Sequence, residues 1–487
     1  MDVKLKNGMI YDPEKVTFTK CDLVVKNNII GSDDENVRKY DISGYYLYPG
    51  FVDSHLHLIS TGKRQITPSL DNINSRKELN SLLESYSNKN QAISVFNARG
   101  WDQDKLGFIP DRDYLDKFFP ETPAFLERRC GHVAVVNSAM VDRYDLRKFD
   151  GLDGTVISKG YLKERALIRT QNLMKLSKKE ISNFMNTGID LFVKYGITHI
   201  HTDDFHGVEL ETLLEILSSQ SKIKIFEKLN VPLSFIEKIK YYREYESNFL
   251  KIGSVKIFLD GSFGARTGAL LDPYADDGKN RGLLYYSEEE LKSILTLCEK
   301  EGLQLSIHVI GDRALELALN VLSSYPQSPL HHRLIHLQVA SDNQIHKMAE
   351  IGLIASIQPV FYISDGEMAR ARLGEKRYRE KAYPFKNMLQ SGISISLSTD
   401  SPVEDPDPFL NIIAADNYFD RKTTLKLYMI NGRKHGFSKD SGRLLKGEQA
   451  DFFITKTNLL KASENDLRET EVKATFVNGK LVYGSLP

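Results

Sequence analysis

Between residues 196 and 402, short apolar runs alternate with stretches whose apolar positions return every three or four residues. The runs are GITHIHTDD (196–204), KIKIFEKLN (222–230), SVKIFLDGS (254–262), LQLSIHVIGD (303–312), HRLIHLQ (332–338), LIASIQPV (353–360) and ISISLSTDSP (393–402). Most are separated by helical patterns such as SEEELKSILTLCEKEG and SDNQIHKMAEIG. With LYPGFVDSH near residue 50, they make eight buried strands. Strand and helix alternating on this scale predict a parallel sheet, and eight repeats predict an α/β fold of the (β/α)8 TIM-barrel type.

The two ends of the chain carry a different period. DVKLKNGMIYD, KCDLVVKNNIIG and YYLYPG alternate and break at turns, as do ADFFITKTN and EVKATFVNGKLVYG, where Asn478-Gly479 is the hairpin turn. Residues 1–49 and 442–487 are therefore expected to form one small β-sandwich domain, with 50–441 as the barrel. Residues from about 60 to 195 fit neither period and are too long for a plain connection. They read as an insertion subdomain after barrel strand 1, capping the catalytic face.

Composition narrows the function classes. Of 487 residues, 41% are apolar and 27% charged, as in ordinary globular proteins. Sixty-five basic residues balance sixty-five acidic ones, so charge gives no reason to expect nucleic acid or an anionic membrane as partner. Three scattered cysteines (Cys21, Cys130, Cys298) offer neither a disulfide framework nor a cysteine zinc site. The start MDVKLKNGMIYD lacks a signal-peptide core, and no apolar stretch of about 18 residues suggests a membrane span. A cytoplasmic protein acting on a small molecule is expected, with homodimerisation left open.

The candidate chemistry sits at strand ends. GFVDSHLHL places His55 and His57 one residue apart after an apolar run, His308 and His336 close two later runs, and Asp400 closes the last. A lone His-x-His is equally well read as two surface or core histidines. Ligand-type side chains at the ends of four barrel strands converge at one mouth, and imidazole and carboxylate are the donors that Zn²⁺ accepts in hydrolytic sites.

PGFVDSHLH after an N-terminal β-segment, with the later histidines and the strand-8 aspartate, resembles the amidohydrolase superfamily. ARGWDQD, GHVAVVNSA, KIFLDGSFGARTGALLDPYADD, IHVIGDRA and STDSPV are similar to its YtcJ-like branch (amidohydrolase family 3), which includes N-substituted formamide deformylases. GEQADFFI and ATFVNGKLVY extend the resemblance over nearly the whole chain. It implies one or two divalent metals, with Zn²⁺ the expected ion. The implied ligands are His55, His57, His308, His336 and Asp400, and Asp400, His308 and His336 also carry the implied catalytic roles. SVKIFLDG resembles the strand-4 segment of cyclic amidohydrolases, in which a carboxylated lysine bridges two metals. That makes Lys256 a candidate ligand; the alternative is an ion pair with a carboxylate such as Asp260.

The implied activity is hydrolysis of a C–N bond (amide, N-acyl or N-formyl, other than a peptide bond) by metal-activated water, with Asp400 as general base. A lactone or ester hydrolase using the same metal site and a non-catalytic scaffold are the alternatives. Trp101, His132 and Arg266 are candidate substrate-binding residues, each with ordinary packing or a plain tight loop as the competing reading. His199 and His201 share a face of strand 2; His331, His332, His346 and His435 read as structural. Cys130 and Ile335 stand where the family commonly has acidic residues before Gly131-His132 and before His336, which bears on substrate preference rather than metal binding.

Overall fold

Short runs rich in β-branched and apolar residues, buried along their lengths, form the strands of the central sheet. In the computed structural model, which describes residues 2–31, 37–87, 94–129, 132–204, 209–436, 438 and 440–486, eight such strands lie side by side in chain order. They are β1 (Phe51–Leu56), β2 (Ile197–Thr202), β3 (Lys224–Leu229), β4 (Leu250–Phe258), β5 (Gln304–Val309), β6 (Arg333–His336), β7 (Ile354–Ile357) and β8 (Ser394–Leu397). All seven neighbouring pairs are parallel. Helices return the chain between strands, and their ends are written in the sequence. Ser287 forms a capping box with Glu290 ahead of the helix Glu288–Glu301, and Gly302 ends it at φ 64°. Ser341 and Gln344 do the same for Asp342–Ile351. Each box satisfies N–H groups that the first helical turn leaves unpaired.

The eight strands close into a nearly complete barrel. Between β8 and β1 the contact is made by side chains and by the segments just past the strands. Ser54 Oγ donates to the Leu397 carbonyl at 2.9 Å. The Asp400 N–H donates to the His55 carbonyl at 2.9 Å and the His57 N–H to the Ser401 carbonyl at 2.8 Å. Part of the interior is polar. Ser254 and Ser306 meet at 2.7 Å and Ser356 and Ser396 at 3.3 Å, while fully buried Arg333 donates to the carbonyls of Ser54 and His435.

Strands from both chain ends form a separate eight-stranded sheet. Tyr46–Pro49 pairs antiparallel with Phe452–Thr455, so residues more than 400 positions apart share one ladder. Asn478 and Gly479, at φ 49° and 69°, turn Val472–Val477 into Lys480–Gly484; two successive positive φ values are what a type I′ hairpin requires. Barrel and terminal sheet belong to one compact unit, and Phe51 packs on Phe453 with ring centroids 4.7 Å apart.

The second unit is Thr61–Thr187 with a short piece ending at Thr212. Its sheet runs Tyr161–Lys163, Val133–Val136, Ala124–Arg128, Phe96–Trp101. Alternation along these strands feeds two apolar clusters, one around Phe96, Trp101 and Leu126 and one around Phe125, Val136 and Leu162. No helix among the described residues is long and apolar enough to cross a membrane.

Candidate metal centre

Strand ends place the donors. His55 is the fifth residue of β1 and His57 follows the strand's end; Nε2 of each lies 3.3 Å from Asp400 Oδ1. His336 ends β6, and its ring centroid is 5.4 Å from that of His55 and 4.6 Å from that of His308. Strict alternation from the inward-facing Arg333 would turn His336 away from the interior. Instead the backbone is left-handed at His336 (φ 77°) and Leu337 (φ 55°), and the strand ends with the imidazole beside its partners. Asp400 is left-handed too, at φ 59°. Such conformations are uncommon for residues with a Cβ and concentrate at functional sites.

Three of the imidazoles are oriented through Nδ1. His57 Nδ1 meets the Asp203 carbonyl at 2.8 Å, His308 Nδ1 meets Asp260 Oδ1 at 3.2 Å, and His336 Nδ1 meets Gln358 Oε1 at 2.9 Å. Gln358 is held in turn by donating to Ser398 Oγ at 2.8 Å. An oxygen acceptor on Nδ1–H leaves the Nε2 lone pair for a metal, the outer arrangement typical of histidine ligands. Asp260 also accepts the N–H groups of Ile310 (3.0 Å), Gly311 (2.9 Å) and Ala269 (2.9 Å). Gly311 is needed for this: a Cβ there would lie 1.9 Å from the Ala269 carbonyl oxygen.

Burial and charge set the protonation states. Burial, then the charges of Lys228 and Lys256, hold His55 well below the ordinary imidazole range. Burial with the neighbouring His308 brings His336 down to about 3. Burial alone would favour the neutral acid of Asp400, but His57, His336 and Lys256 outweigh it and its pKa is lowered. Burial opposes charge on His57 as well, yet Asp400 and Asp203 lift it to about 9. Two neutral imidazoles and a carboxylate are donors in their metal-binding forms. His55, His336 and Asp400 offer buried ligand atoms that all lie within 4.8 Å of one another. Asp400 Oδ1 is buried without a well-formed hydrogen bond. This donor set fits a divalent cation such as Zn²⁺.

Lys256 Nζ, fully buried on β4, lies 3.0 Å from Asp203 Oδ2 and 3.5 Å from the Phe258 ring centroid. The paired alternative thus involves a different carboxylate from the expected one: Asp203 follows β2, whereas Asp260 is taken up by His308 and three backbone N–H groups. Both Asp203 oxygens and Lys256 Nζ are buried without well-formed hydrogen bonds. Burial disfavours the Asp203 carboxylate, but Lys256 and His57 lower its pKa overall.

The other candidates lie elsewhere. Trp101 is 2% exposed in the insertion's core, with Nε1 donating to the Leu126 carbonyl at 3.0 Å, the placement of a packing residue. His132 is exposed, 3.1 Å from Glu164. Arg266 forks onto a carboxylate of its own loop region, Asp276, at 3.0 and 3.3 Å. The loop carrying it is tied internally by Gly261, Ser262 and Thr267. Cys130 and Gly131 lie outside the described residues. His199 and His201 are not in the cluster: His201 Nδ1 faces Arg333 at 2.9 Å. His199 groups with Asp440 and Asp451, carboxylates already paired with Arg433 and Lys224. Asp53, Asp203, Gln358 and Thr399 were not picked from the sequence. For Gln358 the signal was a buried serine two residues before a candidate position: Ser254/Lys256, Ser306/His308, and then Ser356/Gln358.

A profile of the amidohydrolase family matches residues 38–483. A solved structure of an uncharacterized metal-dependent hydrolase from Pyrococcus furiosus is 28% identical, with a TM-score of 0.82 over 95% of this chain and 100% of that one. The Bacillus subtilis protein bearing the amidohydrolase name YtcJ is 27% identical over 479 residues, covering 91% of this chain and 90% of that protein. The N-substituted formamide deformylase of Arthrobacter pascens is 21% identical over 504 residues, covering 94% and 92%.

Proposed function

The chain belongs to the amidohydrolase family of metal-dependent hydrolases, and on that premise we propose that it cleaves a C–N bond of an amide, N-acyl or N-formyl group. The observation that supports this most is Asp400 Oδ1 at 3.3 Å from both His55 Nε2 and His57 Nε2, with His336 closing the same group. His55, His57, His336 and Asp400 would hold the ion, Zn²⁺ being the best match to the donors, with His308 beside them. When bound, the ion lowers the pKa of water and polarises a carbonyl.

The remaining work falls to the chain. Asp400 takes a proton from the attacking water at a carboxylate oxygen, the water oxygen bonds to the carbonyl carbon, and the C–N bond breaks as Asp400 returns the proton to the leaving nitrogen. His308, oriented by Asp260, is placed to hydrogen-bond the carbonyl oxygen or to serve as a further ligand. Lys256, carboxylated by CO₂, would add an anionic oxygen donor; the buried carboxylate of Asp203 beside it is the competing partner.

Elemental analysis of the purified protein, joined to a panel of N-formyl, N-acyl and lactone compounds, tests the reading. One or two metal equivalents are expected, with turnover of at least one amide-type compound and loss of both metal and turnover in a folded His55→Ala/His57→Ala variant. Full metal occupancy in that variant removes the site, and turnover confined to lactones removes the bond assignment.

A further inference from the structure

The insertion contains a cavity of about 750 Å³, within the size range of small-molecule sites, that the metal chemistry does not use. Phe96, Met174 and Phe184 supply an apolar side, and Lys63, Glu127 and Glu180 a polar one. Both carboxylates are already engaged. Glu127 Oε1 lies 3.2 Å from Arg99 Nε, and Oε2 accepts Gln171 Nε2 at 3.0 Å. Glu180 accepts from Ser94 Oγ with one oxygen, and from Ser177 N–H (2.9 Å) and Oγ (2.6 Å) with the other. Among the described residues no carboxylate lies within ion-pair distance of the Lys63 ammonium. Burial draws its pKa down, with Glu127 and Glu180 acting against that only from a distance. A half-buried ammonium with no anion on it, in a cavity that apolar residues also line, is a charge waiting for a ligand. Lys175 and Lys179 line the same cavity and leave it with a basic surplus.

We propose that the insertion binds a small monocarboxylate with an apolar body, its carboxylate on Lys63 and its body against Phe96, Met174 and Phe184. A dianion is disfavoured because Glu127 and Glu180 flank the lysine. The site stands on the cavity alone and needs neither the metal nor the hydrolytic reading.

The single tryptophan, Trp101, shares an apolar cluster with Phe96, so its emission reports from inside the insertion. The intact protein is titrated with 4-phenylbutyrate, and with 4-phenylbutan-1-ol and 4-phenylbutylamine as neutral and cationic counterparts, followed by Trp101 fluorescence and calorimetry. A saturable response is expected for the acid, at least ten-fold tighter than for the alcohol or amine. Lys63→Gln should erase that preference and Lys63→Arg keep it, while the His55→Ala/His57→Ala variant responds as wild type does. Equal affinity for acid and alcohol on the wild-type protein overturns the proposal without any variant. So does an acid preference unchanged in Lys63→Gln, or one lost with the two metal-site histidines.

Discussion

The carboxylate of Asp53 accepts the Thr399 hydroxyl at 2.6 Å and the Thr399 N–H at 3.2 Å, and the pair ties the end of β8 to β1. The same carboxylate accepts the N–H of His55 at 3.2 Å. One buried side chain therefore sets the backbone on which His55 sits and the residue next to Asp400. Burial pushes Asp53 up to about 7 even though these donors favour its anion.

Thr399→Val tests the clasp, because it keeps the shape and removes the hydroxyl. Removing the donor of a buried hydrogen bond should cost about 1–3 kcal/mol of stability. Loosening the alignment of His55 with Asp400 should weaken metal affinity about 10- to 100-fold, as outer-sphere changes typically do. Denaturant unfolding and a competitive chelator titration measure the two effects. Unchanged metal affinity would confine Asp53 and Thr399 to holding the fold.

The strands, the terminal sheet and the donors at the strand ends were legible because each is written locally. Short apolar runs mark the barrel strands, alternation marks the strands at the two chain ends, and Asn478-Gly479 announces a hairpin. What sequence could not supply is pairing across the barrel. Nothing in SVKIFLDG distinguishes Asp203 from Asp260 as the neighbour of Lys256, since that depends on which strand-end loops meet. The left-handed backbone at His336 is likewise invisible to alternation. Trp101 and Arg266 drew attention by residue type, and their surroundings, a packed core and an ion pair to Asp276, are tertiary facts.

Acid should destabilise the protein through two buried histidines. His435 bonds Ser396 and Ser394 through its two ring nitrogens, both at 2.8 Å, and His201 faces Arg333. For each, burial and then the Arg333 charge hold the pKa well below 6.5. Both are neutral when folded and take up protons near pH 6.5 when unfolded, so the unfolded chain binds more protons below that pH. Their contribution is present above about 6.5 and is lost as pH falls, by about 1.4 kcal/mol per pH unit for each histidine. Urea midpoints should drop between pH 6.5 and 5.5, and less steeply in His435→Gln. A flat profile over that window contradicts the assignment.

If Lys256 is carboxylated, Lys256→Ala removes a ligand that a small acid can replace. The variant should lose most of its metal and activity and regain part of each in formate or acetate, which supply the missing oxygen donor. If Lys256 serves instead as the counter-ion of Asp203, the truncation leaves that buried carboxylate without its cation. Stability should then fall by about 3–5 kcal/mol, with no rescue by added acid. Metal content and unfolding midpoints with and without formate separate the two.

Metal contact and proton transfer are both proposed for Asp400, and Asp400→Asn divides those roles. The amide keeps the size and one oxygen donor but cannot accept the proton of the attacking water. In the native site His57, His336 and Lys256 lower the carboxyl pKa, so the base is available at neutral pH, and a bound cation would favour the anion further. Removing a general base typically costs about 10²- to 10⁴-fold in rate. The variant should therefore fold, retain much of its metal and lose kcat by that order. If the acid limb of the wild-type pH–rate profile reports Asp400, it should flatten in the variant, a change that mere weakening of metal binding would not produce. A metal-loaded Asp400→Asn enzyme with near wild-type kcat on a good amide would leave Asp400 as a ligand and move the base elsewhere, with His308, already oriented by Asp260, the next residue to replace.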